Sequence, residues 1–192
     1  MFTGIIETTG QIKDIKKEGS NIHFNIQSGI SEALKVDQSV AHDGVCLTVT
    51  GVEKDSHWVT AIDETLKKSI LGTWQPGKSI NLERCMKADG RFDGHIVQGH
   101  VDGIAKVEII EEEEGSWVFT FAVANTQLMV EKGSITINGT SLTCFDVTDG
   151  AFKVAIIPYT YQHTTFQFLK PADQVNLEFD IIGKYVQKMV SN

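Results

Sequence analysis

Two nucleophile-type side chains stand at matching places in two similar stretches. Cys46 lies in Ser39-Val40-Ala41-His42-Asp43-Gly44-Val45-Cys46-Leu47-Thr48-Val49, and Ser141 in Ile135-Thr136-Ile137-Asn138-Gly139-Thr140-Ser141-Leu142-Thr143-Cys144. Apolar residues, glycine, leucine and threonine recur between the two at an offset of 95 residues. A thiol and a hydroxyl at one repeated position point to a duplicated ligand pocket whose copies carry different reactive groups. The competing reading of a lone cysteine is a small buried hydrophobe. Cys85 and Cys144 fit that reading, each in or beside a predicted strand without a clustered polar partner. Cys46 differs from them only through its match with Ser141.

His95 and His100 lie five apart in Gly94-His95-Ile96-Val97-Gln98-Gly99-His100-Val101-Asp102-Gly103. On a strand that offset puts the two rings on opposite faces, so they are not expected to act as a pair. A zinc site needs further ligands at suitable spacing, and the scattered cysteines do not supply them, so no metal is expected. His100, next to Gly99 and two residues before Asp102, suits proton transfer near neutrality. The glycines here are no dinucleotide fingerprint, because no helix of adequate length follows them. There is no Walker motif, no Gly-x-Ser-x-Gly elbow and no readable triad around Ser141. Redox, phosphoryl-transfer and ordinary esterase chemistry lose ground together.

A repeated frame must position these groups. At the same offset, Ile22-His23-Phe24-Asn25-Ile26 matches Trp117-Val118-Phe119-Thr120-Phe121, and Ser79-Ile80-Asn81-Leu82-Glu83 matches Gln174-Val175-Asn176-Leu177-Glu178. Gapless agreement over this distance indicates a duplicated domain. The dominant period within a repeat is two: Ile22, Phe24 and Ile26 alternate with polar neighbours, as do Trp58, Thr60 and Ile62, the pattern of half-buried strands. Asp43-Gly44 between apolar runs marks a hairpin over 39–50. Short strands are predicted over 12–15 and 79–84, and one or two helical turns over 30–34 and 64–71. The second repeat retraces this with strands at 103–110, 116–123, 152–157 and 174–179, a hairpin over 133–148 and a short helix over 126–130.

Five or six strands in about 90 residues suggest a small closed barrel, which leaves no exposed edge. The fold class is therefore all-β: two tandem, similar closed barrels of five or six strands each and a short C-terminal helix. The barrels are placed at residues 1–88 and 89–183, joined near the polar, glycine-marked stretch 87–94, with the helix at 184–192. Apolar residues at 181, 182, 185, 186, 189 and 190 follow helical spacing. So short a helix must lie on its own barrels or on copies of itself.

With 192 residues, 41 % of them hydrophobic, and only three prolines, the chain can build a core and is not disordered. A net charge of −8 lacks the basic footprint that nucleic acid demands. No apolar run is long enough to span a bilayer. The start, Met1-Phe2-Thr3-Gly4-Ile5-Ile6, lacks a basic leader before an apolar segment. Three unpatterned cysteines fit free thiols in a reducing compartment. A cytoplasmic location is expected.

The opening Met-Phe-Thr-Gly-Ile, the Cys46 stretch, the stretch 94–103 and Gly139-Thr140-Ser141-Leu142-Thr143 together resemble riboflavin synthase of the alpha-chain type. The resemblance covers practically the whole chain. It implies two tandem pseudo-symmetric six-stranded Greek-key barrels, each binding one 6,7-dimethyl-8-ribityllumazine, and a short C-terminal helix that holds a homotrimer. It also implies association with lumazine synthase. The implied reaction moves a four-carbon unit between two lumazines, giving riboflavin and 5-amino-6-ribitylamino-2,4(1H,3H)-pyrimidinedione. No cofactor or metal takes part, and the site lies between the N-barrel of one subunit and the C-barrel of another. The lumazine-binding antenna proteins of luminous bacteria share the barrels without the activity and are the rival reading.

By the same resemblance, Cys46 faces the reacting ring as transient nucleophile or polar contact, and Ser141 and Thr143 stand near the other ring. His100 assists proton transfer, Lys132 lies near the ligand, and Asp180 orients the site or a sugar hydroxyl. Gly4, Ile5, Ile6, Gly99 and Val101, with Ser39, Leu47, Thr48, Ile62, Thr65, Leu142, Ile157 and Thr160, cradle the ring and ribityl chain. Thr65 and Thr160 also suit plain strand-end caps. Two departures stand out: Asn138 replaces an aspartate common in the family, and Asp43 an asparagine. Either side chain can brace a turn, so little effect on activity is expected. Asp93 and Gln98 replace a glycine and a serine in the stretch 94–103 and its approach.

Overall fold

The computed structural model describes residues 1–191 and contains two closed barrels, each of six antiparallel strands. In the first, β1 (Thr8–Glu18), β2 (Asn21–Gln27), β3 (Ser39–His42), β4 (Val45–Val52), β5 (Ser56–Ala61) and β6 (Ser79–Arg84) close in the order 1-2-5-4-3-6. In the second, β7 (Gly103–Glu113), β8 (Ser116–Ala122), β9 (Ser134–Ile137), β10 (Thr140–Thr148), β11 (Ala151–Ile156) and β12 (Gln174–Phe179) repeat that Greek-key order. Closure pairs every strand on both sides, so no sheet edge is left open.

Alternating inward residues fill each barrel. Ile12, Phe24, Ile26, Val40, Leu47, Val59, Leu71 and Trp74 are buried in the first, and Val107, Phe119, Phe121, Ile137, Phe152, Val154 and Phe166 in the second. The face of β5 differs from the sequence reading. Its inward residues are His57, Val59 and Ala61, while Trp58 and Thr60 face outward and Ile62 lies past the strand end, exposed. An indole with Lys16 over its face and Glu53 on its Nε1 serves as a lid on the outer surface.

Helices α1 (Asp63–Lys68) and α2 (Pro158–His163) are each followed by a 3-10 turn that buries Leu71 or Phe166 in the core of its barrel. The helix expected over 126–130 is a turn. Asn125 Oδ1 takes the Gln127 N–H and Thr126 C=O the Met129 N–H, which closes the chain after one turn. The last helix, α3 (Ile181–Val190), begins three residues before the expected 184 because the Asp180 carboxylate caps it, accepting from Ile182 N at 2.9 Å. Lys184 pairs with Asp102 at 2.6 Å and ties the helix to the second barrel. None of its residues is buried, and Ile182, Tyr185, Val186, Met189 and Val190 stay exposed.

The barrels are related by a pseudo-twofold axis that brings repeat-equivalent residues together. Phe2 and Val97 exchange backbone hydrogen bonds of 2.7 and 3.1 Å in an isolated antiparallel bridge. Gly44 and Gly139 touch at the hairpin turns, where a Cβ on Gly44 would lie 2.7 Å from Gly139 N. Both turns put two residues at positive φ, Asp43-Gly44 and Asn138-Gly139, as two-residue hairpins of this kind require. Buried amides seal the seam. Asn81 Nδ2 donates to Asn138 C=O at 2.9 Å and Asn176 Nδ2 to Asp43 C=O at 2.8 Å. Their carbonyl oxygens accept from Thr165 N and Ile70 N, each at 2.8 Å across the same seam.

Candidate active site: two crossed pockets

Two segments cross from one barrel to the other. Residues 2–5, which lead into the first barrel, lie on the second: Gly4 C=O accepts from Ser141 N at 2.7 Å. Residues 97–100, which lead into the second, lie on the first: Gly99 C=O accepts from Cys46 N at 2.9 Å. The approach needs glycine, because a Cβ on Gly4 or Gly99 would fall within 2.6 Å of Cβ of Ser141 or Cys46.

Each crossing completes a pocket. Cys46, Thr65, Lys68, Gly99, His100 and Val101 line a cavity of about 190 Å³ on the first barrel. Ile5, Gly94, Ser141, Leu142, Thr143, Ile157 and Thr160 line one of about 360 Å³ on the second. The offset of 95 residues sets Cys46 against Ser141 and Ile5 against His100, but space crosses the second match. Cys46 shares its pocket with His100, and Ser141 with Ile5. The pockets therefore differ at two positions at once, thiol with imidazole against hydroxyl with isoleucine.

Ser141 has a partner the sequence did not reveal. His95 Nδ1 lies 2.7 Å from Ser141 Oγ and its Nε2 lies 3.1 Å from Thr136 Oγ1, the residue opposite Ser141 on the β9–β10 ladder. Burial lowers the His95 pKa and the charge of Asp180 partly offsets this, which favours a neutral ring able to take the hydroxyl proton. Opposite Cys46 stands Ala41, so the first pocket has no equivalent of Thr136. His95 is not on a strand, and the face argument applied to it and His100 does not hold. His100 is exposed, and its ring makes no hydrogen bond among the described residues.

The remaining expected residues fall into groups. Thr65 and Thr160 are each the third residue of α1 or α2 rather than strand-end caps; the caps are Ile62 and Ile157. Ile5, Ile62 and Ile157 are about half exposed; Ile5 and Ile157 are apolar surface on the second pocket, whereas Ile62 lies outside the cavity lining. Leu47 points into the core and can meet a ligand only through its backbone. Ser39 and Thr48 pair across β3 and β4 outside the cavity lining. Ile6 packs toward the Gly139 turn. Lys132 lies on neither cavity; its Nζ stands 4.8 Å over the Phe145 ring. Asp180 caps α3. Cys144 is core, and Cys85 packs on the Phe2 and Val97 cluster.

Glu83 and Glu178, visible in the repeat as Asn-Leu-Glu, bind the crossing segments and were not expected to matter. A cleft of about 580 Å³ between the barrels, past Asp43 and Asn138, is larger than either pocket but holds none of the expected site residues. Among the described residues no group of three or more His, Cys, Asp or Glu side chains could hold a metal ion, and no helix is long and apolar enough to cross a membrane.

Two such barrels, each with a pocket on its flank, define a tandem lumazine-binding fold: the Lumazine binding domain family matches residues 3–85 and 98–180. The chain is 41 % identical to riboflavin synthase of Bacillus subtilis over 193 residues, covering 99 % of this chain and 90 % of that one. It is 37 % identical to riboflavin synthase of Saccharomyces cerevisiae, with 99 % and 86 % covered. The solved structure of LumP with 6,7-dimethyl-8-(1'-D-ribityl) lumazine shares the fold, with a TM-score of 0.84 at 23 % identity over 93 % of this chain and 99 % of that one. The chain belongs to the riboflavin synthase family, and it is an enzyme of the transferase class.

Proposed function

We propose that the protein converts two molecules of 6,7-dimethyl-8-ribityllumazine into riboflavin and 5-amino-6-ribitylamino-2,4(1H,3H)-pyrimidinedione. The observation that carries this reading is the pair of repeat-equivalent pockets with different reactive groups. Two identical substrates must do unlike work: one loses a proton from its 7-methyl group, and the other is made electrophilic at ring carbon 7. The products together hold every atom of the two substrates, so the balance calls for no cofactor.

In the first pocket the Cys46 thiol faces the ring, with His100 free to move a proton. In the second, His95 draws on the Ser141 hydroxyl while Thr143 and Thr160 offer hydroxyls to the ring or sugar. Both pockets open to the surface, the second beside the exposed Ile5 and Ile157, which supports a shared site made when the N-barrel of one subunit stacks its lumazine on that of another's C-barrel. Stacking and orientation supply much of the rate. The exposed apolar face of α3 is the surface proposed to hold a homotrimer together.

The test is turnover of the purified protein with the lumazine alone. Green riboflavin fluorescence should grow well past one product per pocket. A signal that stops at one bound ligand per pocket would instead mark an antenna-type binding protein of the same fold.

A further inference from the structure

We propose that Glu83 and Glu178 are positioning residues, each holding, from the last strand of one barrel, the segment that completes the pocket of the other. Glu178 on β12 takes Gln98 N at 2.8 Å, Gly99 N at 2.9 Å and His100 N at 3.1 Å. Those residues cover Cys46 in the first barrel. Glu83 on β6 takes Thr3 N at 2.7 Å, Thr3 Oγ1 at 2.8 Å and Gly4 N at 3.0 Å. Those residues lead onto Ser141 in the second barrel.

Both carboxylates are nearly inaccessible, at 6 % and 2 % exposure. Burying a charge costs heavily unless donors replace its water, and here three donors do so in each repeat. No cation touches either group directly. Lys184 and Asp102 are the charged groups facing Glu178, and Glu7 is the one facing Glu83. The arrangement occurs twice with different side chains on the held segments, and backbone N–H groups supply five of the six donors. It places the His100 ring of the first pocket under the control of the second barrel.

Glutamine keeps the shape but turns an amide donor toward backbone N–H groups, so Glu178→Gln should free residues 98–100. The readout is the rate at which iodoacetamide alkylates Cys46, followed by peptide mass, with Cys144, buried in the second core, as the marker of global unfolding in the same digest. Glu178→Gln should raise the Cys46 rate about tenfold, the scale of one lost charge-assisted hydrogen bond, while Glu83→Gln should leave it unchanged. In lumazine titrations each variant should weaken a different one of the two sites. Equal acceleration of Cys46 in both variants, or none in a folded Glu178→Gln, overturns the proposal. If Glu178→Gln does not fold, Glu178→Asp, which withdraws the oxygens by one carbon, is judged by the same rates.

The ligand readout rests on the synthase reading, but the alkylation readout does not. A wild-type protein that makes no riboflavin sinks that reading and leaves a crossed Cys46 pattern standing. An uncrossed pattern in a protein that makes riboflavin sinks this one.

Discussion

The two barrels share a chain path and differ in what they bury at equivalent points. The second fills the space beneath its hairpin with Ile137 and Phe152, both fully inside. The first puts His42 and His57 there, equally inaccessible, with their Nε2 atoms 2.9 Å apart. The histidines are satisfied as a chain. His42 Nδ1 donates to Val40 C=O, His57 Nε2 donates to His42 Nε2, and the Ser31 hydroxyl donates to His57 Nδ1. With both rings neutral every ring nitrogen has a partner, whereas protons on both rings at once would set two N–H donors face to face. A fold that tolerates both fillings takes its path from the backbone pattern, while its response to acid depends on the filling.

The hairpin turns on the pseudo-twofold axis show the same contrast in smaller compass. Asp43 and Asn138 each accept the backbone N–H of an asparagine, Asn81 or Asn176, at 2.8 Å. Asn138 is neutral at any pH. Asp43 is pushed up to about 7 from 3.8, chiefly by burial, with the Asn81 N–H and Lys78 pulling the other way. A raised carboxyl pKa means the unfolded chain loses its proton first, so stability is full below 3.8 and falls as pH rises to about 7. Asp43→Asn makes the two turns alike and should remove a penalty of about 4 kcal/mol above neutrality. Thermal melts of both proteins at pH 5 and pH 8 should show the variant's advantage growing with pH; an advantage equal at both would sink the assignment.

The histidine pair gives the next largest effect, with the opposite sign. Burial pushes His57 down to about 4 and His42 well below its ordinary 6.5, His42 further through the neighbouring His57. The unfolded chain takes up protons below 6.5 while the barrel resists, so stability is full above 6.5 and falls toward pH 4. For His57 alone the loss is about 3 kcal/mol. Transplanting the second barrel's pair, His42→Ile with His57→Phe, should flatten this acid limb. Hydrogen exchange between pH 7 and pH 4.5 should show the first barrel opening ahead of the second in wild type only. Simultaneous opening in both proteins would contradict the comparison.

Much of the architecture was legible because a barrel strand exposes one face, and period two survives in the letters. Ser79–Arg84 and Gln174–Phe179 match the sequence reading end to end. Trp58, Thr60 and Ile62 misled because an outward tryptophan under a lysine looks apolar in sequence and a buried histidine does not. Cys46, Ser141 and Thr143, which line the cavities, stand in the repeated motifs, but their pairing across the barrels does not show there. A repeat comparison matches residues that occupy equivalent places, whereas Cys46 with His100 and Ser141 with Ile5 are contacts made by chain crossing. No residue of the first repeat aligns with His95, so only space could join it to Ser141. Glu83 and Glu178 did show in the repeat, yet nothing in the letters says that their donors are backbone N–H groups.

The smallest effect tests the pockets themselves. Cys46→Ser gives both barrels a hydroxyl at the repeated position but leaves their surroundings unlike. Ser141 has His95 within hydrogen-bond reach and Thr136 behind it; a serine at 46 would have Ala41 at its back and His100 without a side-chain partner. A thiol is a far stronger nucleophile than an alcohol, so the substitution should lower turnover about tenfold or more. Serine is close to cysteine in size, and Cys46 N bonds to Gly99 through the backbone, so the pocket and its affinity for lumazine should persist. Steady-state rates beside ligand titrations separate the two. Loss of turnover with affinity kept assigns the thiol a chemical part. Unchanged turnover would make Cys46 a packing residue, and the His95–Ser141 pair would then be the reactive constellation that distinguishes one barrel from the other.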